Sequence, residues 1–131
     1  MMIKSEVIKT KTSEIWIDDK GILHVKVFEG AEMNYDEVVN NFNVYRGLGF
    51  GENNKVLQFM DARVNCTMSK EGREYVAENA KDFFIASTVI TNNLAVRLIA
   101  NFINKFYKLE VPFKLFDTEE KGMEWLLKFR K

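Results

Sequence analysis

The sequence predicts an α/β fold, in which a mixed sheet of four to five strands carries about four helices. Two β-type runs on either side of an acidic turn that ends in Gly21 indicate an antiparallel hairpin near the N terminus. An apolar run at residues 56–60 has the length of a strand buried on both faces. From this run onward helix-like and strand-like segments alternate, which is typical of parallel inner strands joined by helices.

Residues 15–17 and 22–28 are the two arms of the predicted hairpin. In the second arm apolar side chains alternate with His24 and Lys26, so one face of the strand is apolar. His24 is the only histidine. We interpret it as a sheet-face residue, because the sequence places no acidic or nucleophilic partner for it. Upstream, residues 1–13 are either a short strand or a loosely held terminal segment.

The first helix is predicted between a polar start and a glycine-rich end. Asn34 and Glu37 have capping-box spacing, and apolar side chains then recur at helical spacing to about Arg46. Glycines at positions 47, 49 and 51 end this helix. The short segment before it, residues 29–33, is predicted to be a connection.

A second helix and a second buried strand follow the central strand. Ser69 is a good N-cap for a helix over residues 70–80. Residues 83–90 are rich in β-branched and small side chains, which favours a strand. Residues 113–116 give one more short strand, and residues 117–120 have capping-box spacing for the last helix.

The most apolar helix is predicted to begin after residues 91–93, which supply N-cap candidates. Its apolar residues recur at helical spacing along one stripe: Leu94, Ala95, Leu98, Ile99, Phe102, Ile103 and Phe106. We interpret this stripe as core, because a helix packed on a sheet needs the same residues. Two alternatives stay open: the stripe lines a cleft for an apolar molecule, or part of it is an exposed dimer surface.

Composition argues against several classes of function. The 19 basic and 19 acidic residues cancel, so no overall charge draws the chain to nucleic acid or to an anionic membrane. The single cysteine, Cys66, excludes an internal disulfide and fits a reducing cytoplasm. No apolar run is long enough to span a membrane. No motif indicates a metal or another cofactor, and we expect one cytoplasmic domain over residues 1–131.

Three segments carry a resemblance to a known family. They are the strand end Asp61-Ala-Arg, the helix start Met68-Ser-Lys-Glu-Gly-Arg-Glu-Tyr, and the closing segment Val111-Pro-Phe-Lys-Leu-Phe-Asp-Thr-Glu-Glu-Lys-Gly-Met-Glu-Trp-Leu. With the order of elements, they resemble the SpoIIAA-like (STAS-like) bacterial domains. The resemblance implies a mixed sheet with helices mostly on one side. Anti-sigma-factor antagonists share this topology, and CRAL-TRIO lipid-binding domains share it more loosely.

The predicted functional surface follows the central strand, because ligands of open α/β sheets bind outside the carboxyl ends of the strands. It consists of Asp61, Arg63, Thr67 and Ser69. In the antagonists a partner kinase phosphorylates a serine in an Asp-Ser-Ser-Gly-type turn at the next helix start. Residues 65–69 lack that motif, so Ser69 is either a candidate phosphorylation site or only the helix cap. Asp61 and Arg63 form either a contact pair or separate local contacts.

Three functions compete on this sequence. The first is a non-enzymatic regulatory module that binds a protein partner, to which the SpoIIAA-like resemblance points. The second is a binder of a small apolar or lipid-like molecule, with Ile99, Phe102, Ile103 and Phe106 as the candidate cleft. An enzyme that uses carboxylates near the central strand ranks last, because no catalytic constellation accompanies them. A homodimer is compatible with the first two.

Overall fold

A computed structural model describes residues 6–130 of the chain. Within this range the strands are β1 (Ile8–Lys9), β2 (Ser13–Ile17), β3 (Leu23–Val27), β4 (Ala31–Met33), β5 (Val56–Asp61), β6 (Cys66–Met68), β7 (Phe84–Ile90) and β8 (Phe113–Phe116). The helices are α1 (Tyr35–Gly47), α2 (Lys70–Phe83), α3 (Leu94–Phe106) and α4 (Glu119–Leu127). Of the N-terminal segment 1–13, the first five residues lie outside the described residues, and the rest contains β1.

Six strands form one sheet in the order β1-β2-β3-β5-β7-β8. The first three pair antiparallel, and β3, β5, β7 and β8 pair parallel. The predicted hairpin, the parallel inner strands and the central place of β5 are confirmed. The predicted count of four to five strands is one or two short of the six observed. A two-residue strand such as β1 is too short to show an alternating pattern in the sequence.

A second, two-stranded sheet joins β4 to β6 in parallel. The prediction of a simple connection at residues 29–33 is therefore wrong. Gly30 turns the chain into β4 with a φ of +79°, and its amide donates to the Asn65 carbonyl at 2.7 Å. Strands of three residues paired across such a distance in sequence leave no periodic signal, so only the folded chain reveals them.

Each helix starts at a side chain that accepts a hydrogen bond from its own first turn. The caps are Asn34, Ser69, Asn93 and Thr118. The first three coincide with predicted caps. The last lies one residue after the start of the predicted capping box. α2 continues to Phe83, three residues beyond the predicted end, and leads directly into β7.

The main sheet has helices on both faces. On one face α1, α2 and α3 enclose the larger core, which includes Val25, Phe42, Tyr45, Phe84 and Val96. On the other face α4 packs Leu126 onto a smaller cluster that contains β5 and β7 side chains. Three helices on one side and one on the other agree with the SpoIIAA-like resemblance, which implied helices mostly on one side.

α3 turns a different side toward the core from the one predicted. Its buried side chains are Val96, Ala100 and Ile103. The exposed fractions are 71% for Leu94, 62% for Leu98, 41% for Phe102 and 70% for Phe106. The interpretation of the whole stripe as core is therefore wrong. These four residues are exposed, as the dimer-surface alternative requires, and the dimer itself stays a prediction. The cause is position: α3 packs against α2, β6 and the edge strand β8, so only a narrow side of it is covered.

Candidate functional site

An apolar cavity of about 110 Å³ lies between the main sheet and the helices α1, α2 and α3. The helices contribute apolar side chains to its wall, among them Phe42, Val76, Ala80, Val96, Ile99 and Ile103. The strands contribute others, among them Val27, Met60, Met68, Phe84 and Val89. Among the described residues that line the cavity none is charged. For scale, an apolar protein cavity of about 150 Å³ binds benzene.

The cavity explains which predicted cleft residues share a site. Ile99 and Ile103 line it, whereas Phe102 and Phe106 are not among its lining residues. The prediction of one cleft formed by all four is therefore wrong for the two phenylalanines. Their rings stack on each other at 4.8 Å between centroids, on the outer side of α3. One helical stripe supplies both sets, because α3 is covered on one side only.

Polar side chains also reach the cavity wall. Tyr45 and Ser87 both hydrogen-bond to Gln58, and the Ser87 hydroxyl donates to Gln58 Oε1 at 2.7 Å. Burial raises the pKa of Tyr45 above its usual range, and the bond to Gln58 opposes this rise only in part. Asn41 is 2% exposed and its Nδ2 donates to Thr12 Oγ1 at 3.2 Å. The Oδ1 of Asn41 has no hydrogen-bond partner.

Asp61 and Arg63 form a contact pair, which was one of the two predicted alternatives, and Asp61 also accepts a loop amide, as the other predicted. Arg63 donates from Nε and Nη2 to the two oxygens of Asp61 at 3.0 and 2.8 Å, and from its backbone amide to Asp61 Oδ1. The same Nη2 donates to Glu119 Oε1 at 2.8 Å, which ties the loop to the start of α4. Burial alone raises the pKa of Asp61, but the bonds from Arg63 hold it below its ordinary value.

The four residues of the predicted surface divide into two groups. Asp61 and Arg63 border a polar cleft on the α4 face of the sheet. Thr67, in β6, borders the apolar cavity on the opposite face. Ser69 lies next to β6 and its Oγ accepts from the Gly72 amide at 3.1 Å, so its predicted capping role is confirmed. Its phosphorylation stays a prediction.

The polar cleft contains the only histidine. His24 Nε2 lies 2.7 Å from Asp18 Oδ2, and the imidazole stacks on Trp16 with centroids 4.9 Å apart. The premise that no acidic residue partners His24 is therefore wrong, because His24 pairs with Trp16 across the hairpin and Asp18 follows Trp16 by two residues. Burial alone raises the pKa of Asp18, but hydrogen bonds from His24 and from two backbone amides hold it below 3.8.

A family profile described as a domain of unknown function, DUF7793, matches residues 15–130. The chain belongs to the DUF7793 family. Its fold is similar to that of an uncharacterized DUF3478-family protein from Shewanella loihica PV-4 that is described as having a SpoIIAA-like fold. The two share 12% sequence identity with a TM-score of 0.61, over 94% of this chain and 93% of the other. The SpoIIAA-like fold is thereby shown. No curated protein matches the sequence.

Two further findings bear on the chemistry of this DUF7793 domain. Between residues 6 and 130, no three His, Cys, Asp or Glu side chains gather in a group that could hold a metal ion. None of the described helices has the length and apolar character needed to cross a membrane. Cys66 lines the apolar cavity, and burial raises the pKa of its thiol, with the charge of Glu29 as a second cause.

Sequence reasoning gave an apolar cleft on α3 only as an alternative to core packing, and it missed Asn41. Asn41 was hidden because a polar residue within a helix indicates an outward side chain, whereas this one is buried against Thr12. The one available signal was its position: Asn41 lies next to Phe42 and three residues after Val38, both on the predicted apolar face of α1. The sequence could not decide between a cleft and a filled core, since a residue that lines a cavity and one that fills a core look alike.

Proposed function

We propose that this DUF7793 domain is a non-enzymatic binding domain and that its ligand is a small apolar molecule held in the cavity beneath α3. The observation that carries the proposal is the uncharged cavity of about 110 Å³. Protein interiors are packed as densely as organic crystals, and few voids exceed the size of a water molecule. A void of this size forgoes packing energy that a bound apolar molecule would restore.

The cover of the cavity also supports binding. α3 covers it with the side chains of Val96, Ile99, Ala100 and Ile103, whereas Leu94, Leu98 and Phe106 on the other side of the helix are exposed. A helix held by so narrow a contact can move aside at low cost and admit a ligand. The looser resemblance to CRAL-TRIO lipid-binding domains favours the same class of ligand.

Thermal unfolding with toluene as the probe tests this function. Binding to the folded state raises the melting temperature by an amount that grows with ligand concentration. Ala100→Leu extends a side chain into the cavity from α3 and should abolish the rise. Ala95→Leu makes the same change on the exposed side of the helix and should leave the rise intact. A wild-type melting temperature that toluene does not change, with toluene at millimolar concentration, would reject the proposal.

A second candidate function is the regulatory interaction module, and the outer side of α3 favours it. Leu94, Leu98, Phe102 and Phe106 follow one another at four-residue intervals and are exposed. Between residues 91 and 109 the chain carries Arg97, Lys105 and Lys108 but no acidic residue. An apolar helix side flanked by cations fits a partner protein with an apolar groove and an acidic rim.

A photo-crosslinking residue at position 98 of the full chain, introduced in the source cells, tests this candidate. We expect one partner protein at position 98 and none at position 7, another exposed apolar position. Purified partner should then lose affinity for the Leu98→Ser, Phe106→Ser double variant. If the residue crosslinks only to a second copy of this chain, the exposed side of α3 is a homodimer interface and the candidate partner protein is rejected. If the wild type binds anionic vesicles and the double variant does not, the exposed side of α3 binds a membrane surface and the candidate partner protein is rejected.

A further inference from the structure

Asn41, one of the residues that line the apolar cavity, has a polar atom without a hydrogen-bond partner. Asn41 lines the cavity from α1, and its side chain is 2% exposed. One end of its amide is used, because Nδ2 donates to Thr12 Oγ1 at 3.2 Å. The other end, Oδ1, is buried and accepts no hydrogen bond. Buried side-chain oxygens in native proteins nearly always have a partner, so this one requires an explanation.

The neighbouring polar groups do not share this condition. Tyr45 on α1 and Ser87 on β7 both hydrogen-bond to Gln58 on β5, and all three line the cavity. None of these three side chains has a buried polar atom without a partner, whereas Asn41 Oδ1 is an unused acceptor beside an uncharged, mostly apolar cavity. A cavity of this kind selects its ligand by shape and by very few polar contacts. Here the unused contact is an acceptor.

We propose that the ligand has an apolar body and one uncharged hydrogen-bond donor, a hydroxyl group, that binds Asn41 Oδ1. This inference rests on the proposed function of the cavity. A charged head group is excluded, because no charged side chain on the wall would pair with it and its transfer from water is costly. The volume of about 110 Å³ is smaller than the cavity of about 150 Å³ that binds benzene, so it limits the apolar body to about one small ring. Small phenols and short alcohols fit both requirements.

Phenol and toluene give a matched pair of probes, because a hydroxyl in one replaces a methyl in the other with little change of shape. A hydroxyl that enters an apolar cavity without a partner loses its bonds to water, so phenol should then bind much more weakly than toluene. With Asn41 Oδ1 as its acceptor, phenol should bind at least as tightly as toluene. Isothermal calorimetry on the wild-type chain measures the dissociation constants of phenol and of toluene, and this comparison requires no variant.

Two variants then assign the preference to Asn41. Asn41→Leu keeps the size of the side chain and removes the acceptor, so the affinity for phenol should fall about tenfold relative to toluene. Val96→Ala changes the wall on α3 without touching the amide, so it should change both affinities by the same factor. In NMR spectra of the wild type, phenol should shift the side-chain amide signals of Asn41 more than toluene does.

The outcomes separate the inference from the function on which it rests. If toluene binds and phenol binds much more weakly, the donor preference is overturned while the cavity remains a ligand site. A phenol preference that Asn41→Leu leaves unchanged overturns the role of Asn41. If neither compound binds, the proposed function itself fails and the inference fails with it. Tight phenol binding that depends on Asn41 supports both.

Discussion

A methyl group added at Gly72 would meet the backbone of β4, in the two-stranded sheet. Gly72 is in the first turn of α2, and a Cβ built there lies 2.7 Å from the Met33 carbonyl oxygen. It also lies 3.2 Å from side-chain carbons of Val38 and Met68. The Met33 carbonyl accepts the backbone N–H of Ser69 at 3.2 Å, so it cannot retreat without weakening that bond. Gly72→Ala therefore forces α2 away from β4.

The size of the effect follows from three contributions. Overpacking of a tight site costs about 1–3 kcal/mol, and a weakened hydrogen bond adds about 1 kcal/mol. Alanine is favoured over glycine in a helix by about 1 kcal/mol, which offsets part of this cost. We expect Gly72→Ala to lower the free energy of unfolding by about 1–3 kcal/mol.

Urea unfolding followed by circular dichroism measures this change. Gly47→Ala is the matched control, because the same methyl group at the end of α1 meets no atom within 4 Å. The control should be neutral or slightly stabilising, since only the helix preference acts there. If Gly72→Ala proves as stable as the wild type, the close approach of α2 to β4 is absent in solution and the reasoning is refuted.

Three further predictions concern single side chains. Ser69→Ala should lower the free energy of unfolding by about 0.5–2 kcal/mol because the α2 cap is lost, whereas Ser69→Asp should keep most of the stability that the cap provides. Equal losses for the two variants in urea unfolding would contradict the capping role. Ile103→Ala should lower the free energy of unfolding by about 2–5 kcal/mol, whereas Leu98→Ala on the exposed side of α3 should lower it by less than about 0.5 kcal/mol. Equal losses for the two variants would show that α3 does not bury Ile103 and expose Leu98. Because the folded-state pKa of Asp18 lies below 3.8, the stability gained from its bond to His24 is present above that value and is lost as the pH falls through the folded pKa. The difference in unfolding free energy between wild type and Asp18→Asn should therefore shrink as the pH falls below 3.8, and a constant difference would argue against this linkage.

Local features of the chain were predictable wherever one residue type dominates a short segment. The caps at Asn34 and Ser69 and the apolar run of the central strand are examples, and the structure has all three where expected. Within the candidate site, Ile99 and Ile103 were predicted correctly as cleft residues. Such signals are readable because a cap or a buried strand depends mainly on its own residues and their immediate neighbours.

The remainder of the site depends on contacts between distant segments. The partner of His24 became visible only when the hairpin closed, and the pairing of β4 with β6 requires the loop after β5 to fold back. Asn41 is polar in sequence but buried in the fold, because Thr12 supplies one partner from another element. No single segment contains this information.

α3 shows the division most clearly. The sequence by itself determined that residues 94–106 form a helix with a broad apolar stripe, because helical periodicity is a local property. Only the tertiary structure decided which part of that stripe is buried. α1 and α2 already cover the sheet centre, so α3 packs at its margin, buries Val96, Ala100 and Ile103, and leaves Leu98 and Phe106 exposed. The cavity beneath it exists for the same reason, since burial depends on the space that other elements leave.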